Sequence, residues 1–389
     1  MFQFPTVDPI PLPAPVWLFK LLHIVTLTLH LTAVQLILGG VTVAGIWNFF
    51  GREGSSLKEA SNSILKKLPT VMTYVINFGV PPLLFAQVLY GRALYTSSVL
   101  IGLYWIGVIV VLTLIYFLLY RSVDRANEGK AWWGYGIVIF AGLMYIAKVF
   151  SINMTLMLRP EDWQAIYAAG GGLGTSLPTG DPTTTPRFLF MLAGGIGLSG
   201  AAMTVISGFG DEKDTTKDVL RRWGGILAAL FIALQGGAGL WVYNSQVAAV
   251  KAGLFQDPMF AYAIYAWAGL LILSVVAAAA AAFGSASRAR LTSTATVLFG
   301  VLATGAFTLL RDRIRDVTLL SKGFDVWDRT VVANWSVVLL FLGLFVAALI
   351  LIGYILFAIA RSARQMALGA TVPGQEQMMN EVLERHDDQ

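Results

Sequence analysis

The first long apolar stretch of this sequence carries two of its three histidines, His23 and His30, and these imidazoles are its foremost candidates for holding a metal. Seven residues of helix separate them, two turns and about 10 Å along the axis, so both project from one face but cannot share an iron. Each could ligate its own haem, or one could take a haem while the other hydrogen-bonds a quinone carbonyl or a propionate. The plainer role for both is a hydrogen bond to Ser, Thr or backbone of a neighbouring helix. An ionisable group inside a membrane helix is a functional candidate by default, His30 ahead of His23. Lys148, in MYIAKVFSINM, is the one other clear interior charge besides Lys20; it snorkels toward an interface or meets a propionate or lipid phosphate. Met72, Met144, Met154, Met157, Met191, Met203 and Met259 carry thioethers able to reach iron, though gap-filling is their commoner use.

The run GGIGLSG satisfies G-x-G-x-x-G at Gly195, Gly197 and Gly200, but no strand precedes it and it lies within an apolar stretch, so a nucleotide site is rejected. Glycines at this spacing in a membrane helix let another helix approach closely. Pro81 and Pro82 predict a kink after Phe78, with Asn77 placed to satisfy the freed backbone groups.

The elements that must position these residues are membrane helices. With 57% hydrophobic and 13% charged residues, and runs of 20 or more nearly uncharged residues, the chain is an all-α polytopic bundle. Backbone polar groups must be satisfied within the segment in hydrocarbon, which excludes strands of this length. Nine spans are predicted, at 17–47, 70–91, 97–120, 132–157, 187–208, 224–247, 258–284, 291–311 and 333–360. All 22 Asp and Glu fall outside them, so the interior is expected to hold no carboxylate. Loops on one side carry 16 basic residues against 9 on the other, which puts the N-terminal segment 1–16 outside, the membrane domain over 17–361 and a polar tail, 362–389, in the cytoplasm. The segment Arg311–Arg329 breaks that charge rule and is expected to be an outer docking loop, as is the irregular Gly170–Pro186 loop. Residues 55–69 are expected to form a separate amphipathic helix on the cytoplasmic surface. The first 16 residues lack a basic signal-peptide start, and zero cysteines exclude disulfides, thiolate metal sites and covalent c-type haem. Basic residues are dispersed among short loops, so no nucleic-acid face is expected.

The order of pieces resembles subunit I of the cytochrome bd quinol oxidases from the first span to about Arg313. His30 is followed nine residues later by Gly39; Ile76, Asn77 and Phe78 precede Gln87, Tyr90 and Gly91; Asp124, Arg125 and Pro160 follow in order. The departures lie at the chemistry. The resemblance puts the family's other axial ligands and its last-span glutamate at Phe190, Ala266 or Trp267, and Ala303. Its proton-handling acids fall on Gln87, Tyr104 and Leu112, and its quinol loop shrinks to Ala248–Asp257. What survives is His30 and an outer-end arginine matching Arg313.

The resemblance therefore implies not an oxygen reductase but a subunit of a respiratory electron-transfer complex in a bacterial cytoplasmic membrane. Its implied cofactors are one haem b at His30 and a quinone, with His23 and Arg313 as further contacts. Its implied partners are a second bd-like membrane subunit, periplasmic c-type cytochromes and lipids. A haem-free anchor is the first alternative. A transporter is the second, disfavoured by the lack of a visible inverted repeat or paired broken helices.

Overall fold

The computed structural model describes residues 4–5, 10–178 and 180–367, and among these the only β pairing is a single bridge, Leu12 to Val331. Eleven α-helices follow one another: α1 Val16–Phe50, α2 Ser56–Leu100, α3 Gly102–Asn127, α4 Trp133–Leu156, α5 Trp163–Ala169, α6 Thr184–Phe209, α7 Asp214–Asn244, α8 Ala248–Gln256, α9 Pro258–Phe283, α10 Ala289–Ser321 and α11 Trp335–Ala367. Nine of them, all but α5 and α8, are long and apolar enough to cross a membrane. Residues 368–389, most of the predicted polar tail, lie outside the described residues.

The glycine run explains the centre of the bundle. Two thirds of the apolar window of α6 is buried (67%), against 6% for α11, because Gly194, Gly195, Gly197 and Gly200 let α1 and α7 close on α6. A Cβ on Gly39 of α1 would stand 2.1 Å from the Gly195 carbonyl oxygen, and one on Gly200 would stand 2.6 Å from that of Gly224 in α7. These approaches are possible only without side chains, and they bury Ala201, Ala228 and Met203 in dispersion contact. Large apolar side chains on α3, α9 and α11, such as Ile106, Ile109, Tyr262, Leu340 and Ile350, point outward as a lipid-facing surface requires.

Three expectations about boundaries are corrected. Residues 55–69 do not form a separate surface helix: Ser55 caps α2 by accepting from the Lys58 amide, and the helix runs on unbroken into the second span. Its apolar face, Ala60, Ile64 and Leu68, is buried against α1 instead of resting on lipid. Secondly, Pro81 and Pro82 are absorbed within α2, and the one non-helical backbone lies at Tyr90 (φ −124°, ψ 17°). Asn77 does turn back on the helix, its Nδ2 donating to the Thr73 carbonyl at 2.8 Å.

Thirdly, Arg311–Arg329 is not simply a loop. Helix α10 has 33 residues, roughly 50 Å, against a hydrocarbon layer of about 30 Å, so its last turns stand beyond the apolar stretch while remaining packed in protein. Asp312 and Arg315 are 6% and 3% exposed, so the interior does hold a carboxylate. The connection that follows folds over this end as a cap: Phe324 and Val326 are buried, and Leu12, Val332 and Asn334 join the cap to the N-terminal segment through backbone hydrogen bonds. Asp325, Trp327 and Asp328 stay exposed.

The opposite end is tied by Asn48, whose Oδ1 accepts from the Trp132 and Trp133 amides, and by Glu59 and Glu212 on Lys213 and Lys67. Burial alone would push the Glu212 carboxyl up, yet the Ser63 hydroxyl and the Lys67 ammonium hold it below the usual range. That anchor is therefore intact at neutral pH and weakens as pH falls through the depressed value.

Candidate functional site

Helices α1 and α10 run antiparallel in a register that can be followed rung by rung: Lys20 to Asp316, His23 to Arg315, Thr28 to Thr308 and Gln35 to Thr304. The first two rungs form a buried charge network. Lys20 and His23 are spaced i, i+3, and Asp312, Arg315 and Asp316 are spaced i, i+3, i+4, so each set falls on one helical face and the faces meet. Lys20 Nζ is 2.9 Å from Asp312 Oδ2, is bonded to Asp316 Oδ2 and donates to the Tyr90 hydroxyl at 2.8 Å. That hydroxyl lies 2.7 Å from Asp312 Oδ1 and 3.0 Å from Asp316 Oδ1, donating to one at a time. The non-helical turn of α2 falls at Tyr90, the residue inserted here. Arg315 stacks 4.6 Å over the Tyr90 ring, with Asp312 Oδ1 at 4.0 Å, and Lys20 also faces Trp327 of the cap.

His23 closes the network. Its Nδ1 donates to the Pro82 carbonyl at 3.0 Å, which fixes the tautomer and leaves Nε2 to accept from Arg315 Nη1 at 3.2 Å. Both nitrogens are engaged, so an iron at Nε2 would have to displace Arg315. The chain of hydrogen bonds ends at the Pro82 backbone and does not run on to His30.

His30 is different. Its Nδ1 donates to the Val75 carbonyl at 3.0 Å, and among the described residues nothing bonds its Nε2. A ring oriented by a backbone carbonyl with the other nitrogen free is the arrangement in which imidazole ligates metals. The neighbouring residue on α2 is Gly79, where a Cβ would stand 3.0 Å from the ring, so glycine keeps the imidazole edge uncrowded. Two rungs of α1 thus carry two histidines with opposite prospects, a distinction that sequence spacing does not contain.

Arg313 faces away from both. Its guanidinium sits 4.9 Å from the Phe260 ring and reaches the Gly253 carbonyl at 3.5 Å, in the wall formed by α8 and α9. Lys148 is exposed beside a groove of about 400 Å³ lined by Ala141, Met144, Tyr145 and Phe188. No group of three or more His, Cys, Asp or Glu able to hold a metal occurs among the described residues.

The positions to which the resemblance assigns the other haem ligands come together. Phe190 stacks on Phe307 at 4.3 Å and lies 6.2 Å from Trp267, and Trp267 and Ala303 line one cavity of about 10 Å³. Aromatic carbon and a methyl group fill this region, and none of these side chains offers iron a lone pair. On the outer flank of α2 and α3, Thr73, Asn77 and Tyr120 are exposed in mid-helix, with the Tyr116 hydroxyl within 3.5 Å of both Thr73 Oγ1 and the Tyr120 hydroxyl.

No family model and no curated protein matches the sequence. Among solved structures, the bd oxidase from Geobacillus thermodenitrificans is similar with a TM-score of 0.65 at 11% identity, over 91% of this chain and 100% of that one. At such low identity the likeness is one of fold: the nine-helix membrane bundle is bd-oxidase-like.

Proposed function

We propose that this chain is a membrane subunit of a respiratory electron-transfer assembly, an anchor for electron-carrying partners that holds one b-type haem through His30. The observation that carries the reading is a bd-oxidase-like bundle in which, of the two interior histidines, His30 presents a fixed ring with a free Nε2. When bound, such a haem supplies a one-electron relay. The chain itself orients the ring through Val75 and leaves room beside it with Gly79. Phe190, Trp267 and Ala303 provide no second or third ligand, which argues for a waypoint for electrons over an oxygen-reducing centre.

His30→Ala in the purified, folded chain is expected to abolish the b-type reduced-minus-oxidised signal, and His23→Ala to leave it. A signal that survives His30→Ala overturns the assignment. The aromatic filling around Phe190 favours one other reading, a haem-free anchor, which predicts a folded chain without Soret absorbance.

Exposed surfaces support the proposed partners. Polar side chains exposed on a membrane helix are costly unless another helix meets them, so the Asn77–Tyr116–Tyr120 flank is assigned to a second membrane subunit. Asn77→Leu combined with Tyr116→Phe should reduce co-purification of that subunit; undiminished recovery counts against this interface. The basic-residue distribution puts the capped end outside, where Asp325, Trp327 and Asp328 are available to periplasmic c-type cytochromes. Lys148, an ammonium without a carboxylate beside an apolar groove, suits an anionic lipid headgroup.

A further inference from the structure

The small cavity enclosed by α1, α6, α7, α9 and α10 is lined by polar groups that the protein does not satisfy. Gln35, Gln235 and Thr304 are 2%, 8% and 5% exposed and come from three different helices. Gln35 Oε1 accepts from Thr304 Oγ1 at 3.3 Å, but Nε2 of Gln35 and the carboxamide of Gln235 bond none of the described residues. Both nitrogens converge on one place: a Cβ on Gly194 would stand 2.3 Å from Gln235 Nε2 and 3.0 Å from Gln35 Nε2. The missing side chain of Gly194 is what lets both amides lie against α6 at the edge of the cavity. Two amide donors beside one small cavity, deep between apolar helices, require an acceptor, because unpaired buried amides are strongly disfavoured.

We propose that one water molecule binds there, accepting from Nε2 of Gln35 and of Gln235 and donating to Thr304 Oγ1. The volume of about 10 Å³ admits one water and nothing larger, and three polar partners are what a buried water ordinarily has. The Thr304 hydroxyl gives its one proton to Gln35 Oε1 or to the Gly300 carbonyl, at 3.3 and 3.0 Å, and in either case keeps a lone pair free to accept. The water would join α1, α7 and α10 beside Trp267 and Ala303. The inference is independent of whether His30 binds haem.

A high-resolution electron cryomicroscopy map of the full chain in nanodiscs is expected to show one peak within hydrogen-bonding distance of both Nε2 atoms. A thermal double-mutant cycle gives a second readout. Gln35→Leu alone and Gln235→Leu alone should each lower the unfolding temperature by roughly 2–4 °C, since each strands the other amide. The double variant, with both amides replaced by apolar groups of similar size, should unfold above the weaker single. A map in which the two carboxamides bond each other directly, a map with no peak between them, or strictly additive losses in the cycle would each overturn the proposal.

Discussion

Lys20→Met is expected to be among the most damaging single substitutions in this chain. Lys20 is the shared cation of Asp312 and Asp316, which stand one helical turn apart with side chains 8% and 11% exposed. Removing it leaves two carboxylates facing each other under the cap, with Arg315 reaching Asp312 only at 4.0 Å. Breaking a buried pair by deleting one partner typically costs about 3–5 kcal/mol, most of it the uncompensated charge left behind. The loss should appear as a large fall in unfolding temperature and in yield from membranes. Lys20→Met with Asp312→Asn and Asp316→Asn should recover much of it, because neutral amides restore hydrogen bonds without charge. A single variant as stable as the parent would mean that the network is solvated and contributes little.

Gly39→Ala is the second substitution with a large expected effect, and one methyl group is enough. The added Cβ would meet the Gly195 carbonyl oxygen at 2.1 Å and Ser199 Oγ at 2.5 Å. The serine hydroxyl can rotate away, but the carbonyl belongs to helix α6, which is held on its other side by Gly224 and Ala228 of α7. Separating α1 from α6 should cost about 3 kcal/mol, the upper part of the range for overpacking, as lost thermal stability. Gly45→Ala is the control on the same helix: nothing stands within 4 Å of that Cβ, and alanine's higher helix propensity makes it neutral or slightly stabilising. Equal damage at both positions would remove close helix approach as the cause.

The elements were legible because hydropathy reports helices that face lipid, and the ends were not because protein, unlike lipid, can bury charge. Helix α10 is the clearest case: the alternation of Arg311, Asp312, Arg313, Arg315 and Asp316 has the composition of a solvated loop, and it is the i, i+3, i+4 spacing that betrays a helix. The same period on α1, Lys20 with His23, gives the complementary face, yet nothing in the sequence pairs two segments some 290 residues apart. Prolines 81 and 82 carry a local signal for a kink, but the break falls at Tyr90, the residue inserted into the charge network. GGIGLSG was readable as a packing run from its spacing, whereas the partners of each glycine, and the pocket that Gly194 opens for Gln35 and Gln235, depend on tertiary register. The histidines show the limit most plainly. Their two-turn spacing places them on one face, but which of them keeps a free nitrogen is decided by Arg315, a residue expected in a loop.

The central claim, a bundle with one usable haem ligand, is tested most directly by counting haem per chain with the pyridine haemochrome assay on the purified subunit, alone and as His30→Ala. One b-type haem per polypeptide is expected in the parent and none in the variant. Two or more haems per chain, or a haem content unchanged by His30→Ala, would contradict it.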